Sequence, residues 1–338
     1  MRIWFVDAFT DQVFSGNTAA VVPLDAWPLD AWPADETLRA IAAQNRVSET
    51  AFLKSAGLKG NYQLRWFTPT TEVLLCGHAT LAAGAILLTE IETDLDVVVF
   101  DTQKGPLVVR ETADGFTLDL PRRVRSPWTP ATDVLGALAV TKAVDAFTGE
   151  YATIVLGSEA ELRALAPDVA RLEKAVRGPR AGCLTITARA DAGKPYDFVC
   201  RFFAPGVGID EDPVTGSAFA DLTPYWCDRL GRDSVAGFQA SARGGLVRGL
   251  QTLSSTRLLG RIAVYLRGEL DPALTRLARA SQGATYGGIA PISPLASGGP
   301  AVAANAAPVI EVRDLDAAPA PAEMPRSVRI EPSQRKAG

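Results

Sequence analysis

The chain is poor in everything that would tie it to a membrane, a nucleic acid or an oxidising compartment. Lys and Arg total 34 against 38 Asp and Glu, a formal charge of −4, and the basic residues gather into no stripe. No basic field is offered to a phosphate backbone, which excludes nucleic acid as the expected partner. The four cysteines, Cys76, Cys183, Cys200 and Cys227, are scattered without a CxxC pair in a chain of 338 residues. A chain of that length stands without disulfide staples, so they read as reduced thiols and the compartment as cytoplasmic. The most apolar run, Ala79 to Leu88, is about half the roughly 20 residues a bilayer crossing needs, and reads as a buried helix. At the amino terminus Asp7 and Asp11 interrupt what would be a signal peptide, so residues 2–9 are expected to form a strand and export is not indicated. Histidine is the scarcest resource of all, with one, His78.

What is present is a large apolar complement. At 47% hydrophobic and 21% charged, the composition is that of a soluble globular protein. The length suggests two lobes, which put a cleft between them.

Residues 2–9 and 18–24 carry strand patterns joined through the turn residues Ser15-Gly16-Asn17. A helix is expected from Asp35 to Gln44, with Leu38, Ile41 and Ala42 on one face and Asp35 as its cap. Ser48 to Leu53 reads as a strand. The near-duplicated DAWPLDAWPAD at 25–35 is too short to be an architectural repeat. Further strand patterns occur at 96–100, 106–110, 116–120, 152–156, 183–188, 197–203 and 258–266. Strands outnumber helices and alternate with them irregularly, which gives an α+β class.

Two segments echo each other. Phe67-Thr-Pro leads to Gly77-His78-Ala79, and Phe203-Ala-Pro leads to Gly216-Ser217-Ala218; an apolar helical run follows in each case, to Leu88 and to about Leu230. Each echo places a helix amino end, with free N–H groups and a positive dipole end, where a carboxylate or enolate oxygen could rest. The expected organisation is an N-terminal lobe over 1–120, a C-terminal lobe over 121–270 and an Ala/Pro-rich tail over 271–338. That tail holds 16 Ala and 9 Pro with one aromatic, Tyr286. It is expected to be flexible, with one short strand near Val309 to Val312.

The candidate chemistry sits near these helix starts. His78 is either a histidine satisfied by backbone near a helix end or an acid–base group. Glu49, in Val47-Ser48-Glu49-Thr50-Ala51-Phe52, is either an edge-strand carboxylate in water or a general base. A carboxylate set against apolar side chains loses solvation in its charged form, which suits it to take a proton. Asp212 is placed to cap the second helix or to face the cleft, and Ser217 to satisfy its first turn or to donate to a substrate oxygen.

The segments VDAFTDQVFSGNTAAVV, SETAFL, WFTPTTEVLLCGHATLAAGAIL, FFAPGVGIDEDPVTGSA and SARGG together resemble the PhzF-like family of phenazine biosynthesis in kind, order and spacing. The resemblance covers residue 1 to about 270. It implies two pseudo-symmetric lobes, each a curved, mostly antiparallel sheet around a central helix, as in the diaminopimelate epimerases, and a homodimer. It further implies an isomerase that moves a proton on a small anionic substrate, with Glu49 as base and without metal, nicotinamide or pyridoxal. His78 and Asp212 would assist the proton movement. Asn17, Ser48, Gly77, Gly216 and Ser217 would hold the substrate.

There are two departures. Members commonly carry a His two residues after the serine of the TGS segment, where this chain has Phe219, a change expected to alter the pocket. The related two-cysteine racemases have a second thiol just before the TG of the other half; Pro213 and Val214 stand there, which disfavours two-thiol racemisation and leaves Cys76 as a small buried residue. A zinc site from Cys76 and His78 lacks further ligands at suitable spacing. Two readings compete with the isomerase: an amino-acid epimerase or racemase using Glu49 with Asp212 or His78, and a small-anion-binding protein without turnover.

Overall fold

The computed structural model describes residues 1–25, 31–176 and 182–274. Part of the 25–35 duplication, nearly all of the tail and the strand expected near 309–312 lie outside the described residues.

The first half runs through β1 (Arg2–Ala8), β2 (Asn17–Pro23), α1 (Asp35–Asn45), β3 (Glu49–Ser55), β4 (Asn61–Phe67) and β5 (Glu72–Val73). It continues with α2 (Gly77–Ile86), β6 (Val97–Asp101), β7 (Leu107–Thr112) and β8 (Gly115–Pro121). After β9 (Ser126–Pro127) and α3 (Thr132–Ala137) come β10 (Asp145–Thr148), β11 (Ala152–Val155), α4 (Glu159–Arg163), α5 (Val169–Ala175), β12 (Leu184–Arg189) and β13 (Phe198–Ala204). The chain then forms β14 (Ile209–Asp212), α6 (Gly216–Leu230), β15 (Ser234–Gln239), β16 (Gly245–Gln251), β17 (Ser255–Gly260) and β18 (Ile262–Glu269). The class is α+β, as expected.

The strand pairings repeat. In the first half β1–β2 is antiparallel, β2–β3 parallel, β3–β4 antiparallel, β4–β6 parallel, and β6–β7 and β7–β8 antiparallel. In the second, β10–β11, β11–β12, β12–β13, β13–β15, β15–β16 and β16–β17 follow the same sequence of senses. The short strands β5 and β14 hang antiparallel on β4 and β13. The echo seen in the sequence is therefore a repeat of topology. The halves are sewn together at two places, where β8 pairs with β17 and β18 returns to β1, while β9 closes on β10 within the second half.

The middle of each half is a helix wrapped by its strands. All ten residues of α2 are buried, in keeping with its near-continuous apolar sequence. β2 reads as an unbroken apolar run because both of its faces are covered. Ala19 and Val21 join the main core with Leu81 and Leu222, whereas Ala20 and Val22 pack with Leu38 and Ile41 of α1.

Several expectations are corrected. Asp35 does not cap α1: Ala34 is the cap residue, and the Asp35 carboxylate instead receives Arg65 Nη2 at 2.9 Å. The run at 258–266 is not one strand but the end of β17 and the start of β18, which pair with β8 and with β1. Strands β4, β10, β15 and β16 were not anticipated. β16 is interrupted by Gly249, a residue that reads as a turn; a Cβ there would fall 2.0 Å from Thr223 Oγ1 of α6, so the strand needs glycine to approach the helix.

Candidate active site

The amino ends of α2 and α6 meet. A Cβ on Gly77 would lie 3.2 Å from Gly216 Cα, and one on Gly216 would lie 3.3 Å from Gly77 Cα and 3.4 Å from the Phe9 ring. Two positive dipole ends brought this close repel each other, and an anion between them would relieve the repulsion.

Around this meeting point stand most of the residues expected from the sequence. Glu49 opens β3, His78 is the second residue of α2, and Asp212 closes β14. His78 Nε2 lies 3.1 Å from Glu49 Oε2. The two atoms are not aligned as a hydrogen bond, and neither has a hydrogen-bond partner among the described residues although both are buried. Burial opposes a charge on His78, but the neighbouring Cys76 and Glu49 outweigh it and raise the imidazole pKa well above its ordinary value. Burial, reinforced by Glu49, pushes the Cys76 thiol up. The Glu49 carboxylate is then the counter-charge of the imidazolium.

Asn17 is the hub. Its side-chain nitrogen donates to Asp212 Oδ1 at 3.0 Å and to the Val214 carbonyl at 2.9 Å, and lies 3.3 Å from His78 Nδ1. Its oxygen accepts from Ser48 Oγ at 2.9 Å. Asp212 is held further by the Thr215 hydroxyl. Burial raises the Asp212 pKa to about 6, with His78 pulling the other way. Ser217 is not joined to this network; its hydroxyl pairs at 3.0 Å with the Tyr151 hydroxyl.

Thr215, Gln239 and Tyr151 were not singled out from the sequence. Gln239, fully buried, donates to the Asp212 carbonyl at 2.7 Å and accepts from Thr215 N–H at 2.9 Å, which fixes the entry to α6. Nothing local marks a glutamine 24 residues away as its partner. Phe219, expected to change the pocket, is fully buried and packs on Phe198 with ring centroids 5.7 Å apart. Cys76 is buried as expected, but its sulfur also lies 3.5 Å from His78 Nδ1.

The donor atoms of Glu49, Cys76 and His78 fall within 4.8 Å of one another. The sulfur faces Nδ1 and the carboxylate faces Nε2. The imidazole thus stands between them, and one ion would not meet both unless the ring were turned. The three donors are thus strung along the ring rather than gathered round one point.

Thr50 of β3 pairs with Phe67 and Leu184 of β12 with Phe203, so the residues just before them, Glu49 in one half and Cys183 in the other, hold the same place. Trp66 pairs with Val73 where Phe202 pairs with Asp212. Counting to the helix glycines places Thr215 at the position of Cys76, one residue later than Pro213 and Val214. Glu49 thus has Cys183 as its counterpart, Asp212 has Val73 and Cys76 has Thr215.

The family model for phenazine biosynthesis-like proteins, PhzC-PhzF, matches residues 6–268. The chain belongs to the PhzC-PhzF family. The match ends at 268, within β18, so that both halves are covered. An uncharacterized isomerase of Pseudomonas aeruginosa is 43% identical over 274 residues, 80% of this chain and 98% of the relative. The human phenazine biosynthesis-like domain-containing protein is 34% identical over 296 residues, 80% and 99% of the two chains. The crystal structure of a PhzF family protein from Enterococcus faecalis superposes with a TM-score of 0.72 at 34% identity, covering 80% of this chain and 98% of that one. No helix among the described residues of this PhzC-PhzF member is long and apolar enough to cross a membrane.

Proposed function

We propose that this chain is an isomerase that shifts a proton on a small carboxylate-bearing substrate held between lobes formed by 1–120 and 121–270. Glu49 is the general base, and no metal or organic cofactor takes part. One observation carries the proposal: Glu49 Oε2 and His78 Nε2 lie 3.1 Å apart, buried and without hydrogen-bond partners, where the two helix ends converge. Orphaned polar atoms in such a place are costly, and a substrate that reaches them offsets the cost. The isomerase naming of the Pseudomonas aeruginosa relative supports the reaction class.

In this reading Glu49 takes a proton from carbon, a contribution of about 10²–10⁴-fold for a positioned base. His78, carrying its second proton, returns one to another atom of the conjugated system or steadies the charge that develops. The N–H groups of Gly77 and Gly216 and the Ser217 hydroxyl receive the negative oxygen, for about 10²–10³-fold per donor. Asn17, Ser48 and Asp212 hold the substrate and keep the His78 environment polar. The working unit is taken to be a cytoplasmic homodimer, on the family resemblance and on four buried cysteines, none of them in a disulfide.

A two-base epimerase is less well supported, since neither a carboxylate nor an imidazole stands at the counterparts of Glu49 and Asp212, which are Cys183 and Val73, and the counterpart of Cys76 is Thr215. The binding-protein reading loses its main support once Phe219 is seen to lie in the core. Proton NMR in D₂O, with dihydro-hydroxyanthranilate-like acids and amino acids as a panel, tests the proposal. Site-specific deuterium incorporation that vanishes in Glu49→Gln is expected. Incorporation undiminished in Glu49→Gln would remove Glu49 from the mechanism, and binding without any exchange would favour the binding protein.

A further inference from the structure

We infer that Cys76 is a positioning residue, its sulfur holding the Nδ1 side of the His78 ring so that Nε2 is kept on Glu49. The purpose assigned to it rests on the proton-transfer reading above.

The groups that face His78 are few. Glu49 lies on Nε2; Cys76 and Asn17 lie on Nδ1; Asp212 stands beyond Asn17. Asn17 has two amide hydrogens, and both are committed, one to Asp212 Oδ1 and one to the Val214 carbonyl. Its approach to Nδ1 is therefore a contact without a hydrogen to give. That leaves the sulfur, 3.5 Å away, as the partner of Nδ1. A buried thiol has both a weak donor and a weak acceptor, so it serves the ring in either protonation state; toward an imidazolium the sulfur accepts Nδ1–H.

The backbone is built to hold that sulfur. Cys76 is the extended residue just before α2, with φ −146° and ψ 111°. Its carbonyl is taken by the Thr80 N–H and by the Thr80 hydroxyl. The second half does the same with different atoms. Thr215, the residue before the glycine that opens α6, gives its hydroxyl to Asp212. In both repeats the residue preceding the helix glycine grips the ionisable group of its own half.

His78 is the only histidine in the chain, so its Cε1–H resonance is a private reporter of the ring. Titration of the free protein by proton NMR needs no substrate. The Cys76→Ala variant is expected to lower the His78 midpoint by about one pH unit, a tenfold weaker hold on the proton. Cys76→Ser, whose oxygen accepts from Nδ1–H, is expected to restore most of that shift. If Cys76→Ala does not fold, Cys76→Val fills the space with apolar atoms and takes its place. A midpoint unchanged from the parent overturns the inference, as does an equal shift in the serine and the apolar variants, which would mean that Cys76 only packs. An unmoved midpoint beside proven deuterium exchange defeats the role of Cys76 alone. A moved midpoint with binding but no exchange defeats the proton-transfer reading and, with it, the catalytic purpose given to Cys76.

Discussion

The carboxamide of Asn17 binds Asp212 across 195 residues of chain, at 3.0 Å, while its second hydrogen goes to the Val214 carbonyl at 2.9 Å. A side chain at the first residue of β2 thereby anchors the segment that leads into α6. The contact is fully buried on the Asn17 side.

Removal of that carboxamide should therefore be felt as lost stability as well as lost function. Asn17→Ala leaves Asp212 Oδ1, the Val214 carbonyl and the Ser48 hydroxyl without their present partner, and each unpaired buried group costs about 1–3 kcal/mol. A fall of at least about 2 kcal/mol in urea denaturation is expected. A fall below about 0.5 kcal/mol would show that water replaces the carboxamide without loss.

Asp212 offers the opposite case. Its pKa rises from 3.8 in the free side chain to about 6 in the fold, chiefly through burial. The folded state then holds the proton more tightly than the unfolded chain, so this carboxyl costs stability as pH rises through the window from 3.8 to about 6. Above that window the cost is on the order of 3 kcal/mol. Asp212→Asn keeps an acceptor for Asn17 and offers a donor to the Thr215 hydroxyl. It should be more stable than the parent at pH 8, with the advantage gone below about pH 4. A variant that is less stable at pH 8 would contradict this account. Turnover, by contrast, should fall.

Phe219 provides a third test. If the phenylalanine altered the pocket, Phe219→His would change substrate handling. Because the ring is buried against Phe198, the substitution should instead cost about 2–4 kcal/mol. A histidine forced to stay neutral in the fold is protonated in the unfolded chain, so the deficit should grow as pH falls below about 6.5. Thermal unfolding at pH 5 and pH 8 separates the two possibilities.

The motifs written in short stretches of chain were legible. GHA and GSA open α2 and α6, the Phe67 and Phe203 echoes close β4 and β13, and the two glycines meet as a cleft between echoing helices would require. The patterns that failed are those decided at long range. Asp35 turned to the guanidinium of Arg65 on β4, 30 residues further along the chain, and β16 was hidden because α6 demands glycine beneath it. The grip of Gln239 on Asp212 and of Tyr151 on Ser217 joins residues 27 and 66 positions apart, and neither pairing leaves a periodic trace in the sequence. The spacing of Phe219 from the serine says which turn it occupies but not which way the helix faces, and so gives no sign of its packing on Phe198.

The return of β18 to β1 has a consequence for how the molecule comes into being. The opening strand, Arg2–Ala8, waits for a partner that leaves the ribosome about 260 residues later, near the end of both repeats. The half that carries Glu49 and His78 is therefore the first to be synthesised and among the last to be closed. Its unpaired strand edge is exposed for most of translation, and contacts of such sequence separation fold slowly. Loss of the last strand by truncation would injure the amino-terminal half of the molecule rather than the half from which the residues were removed.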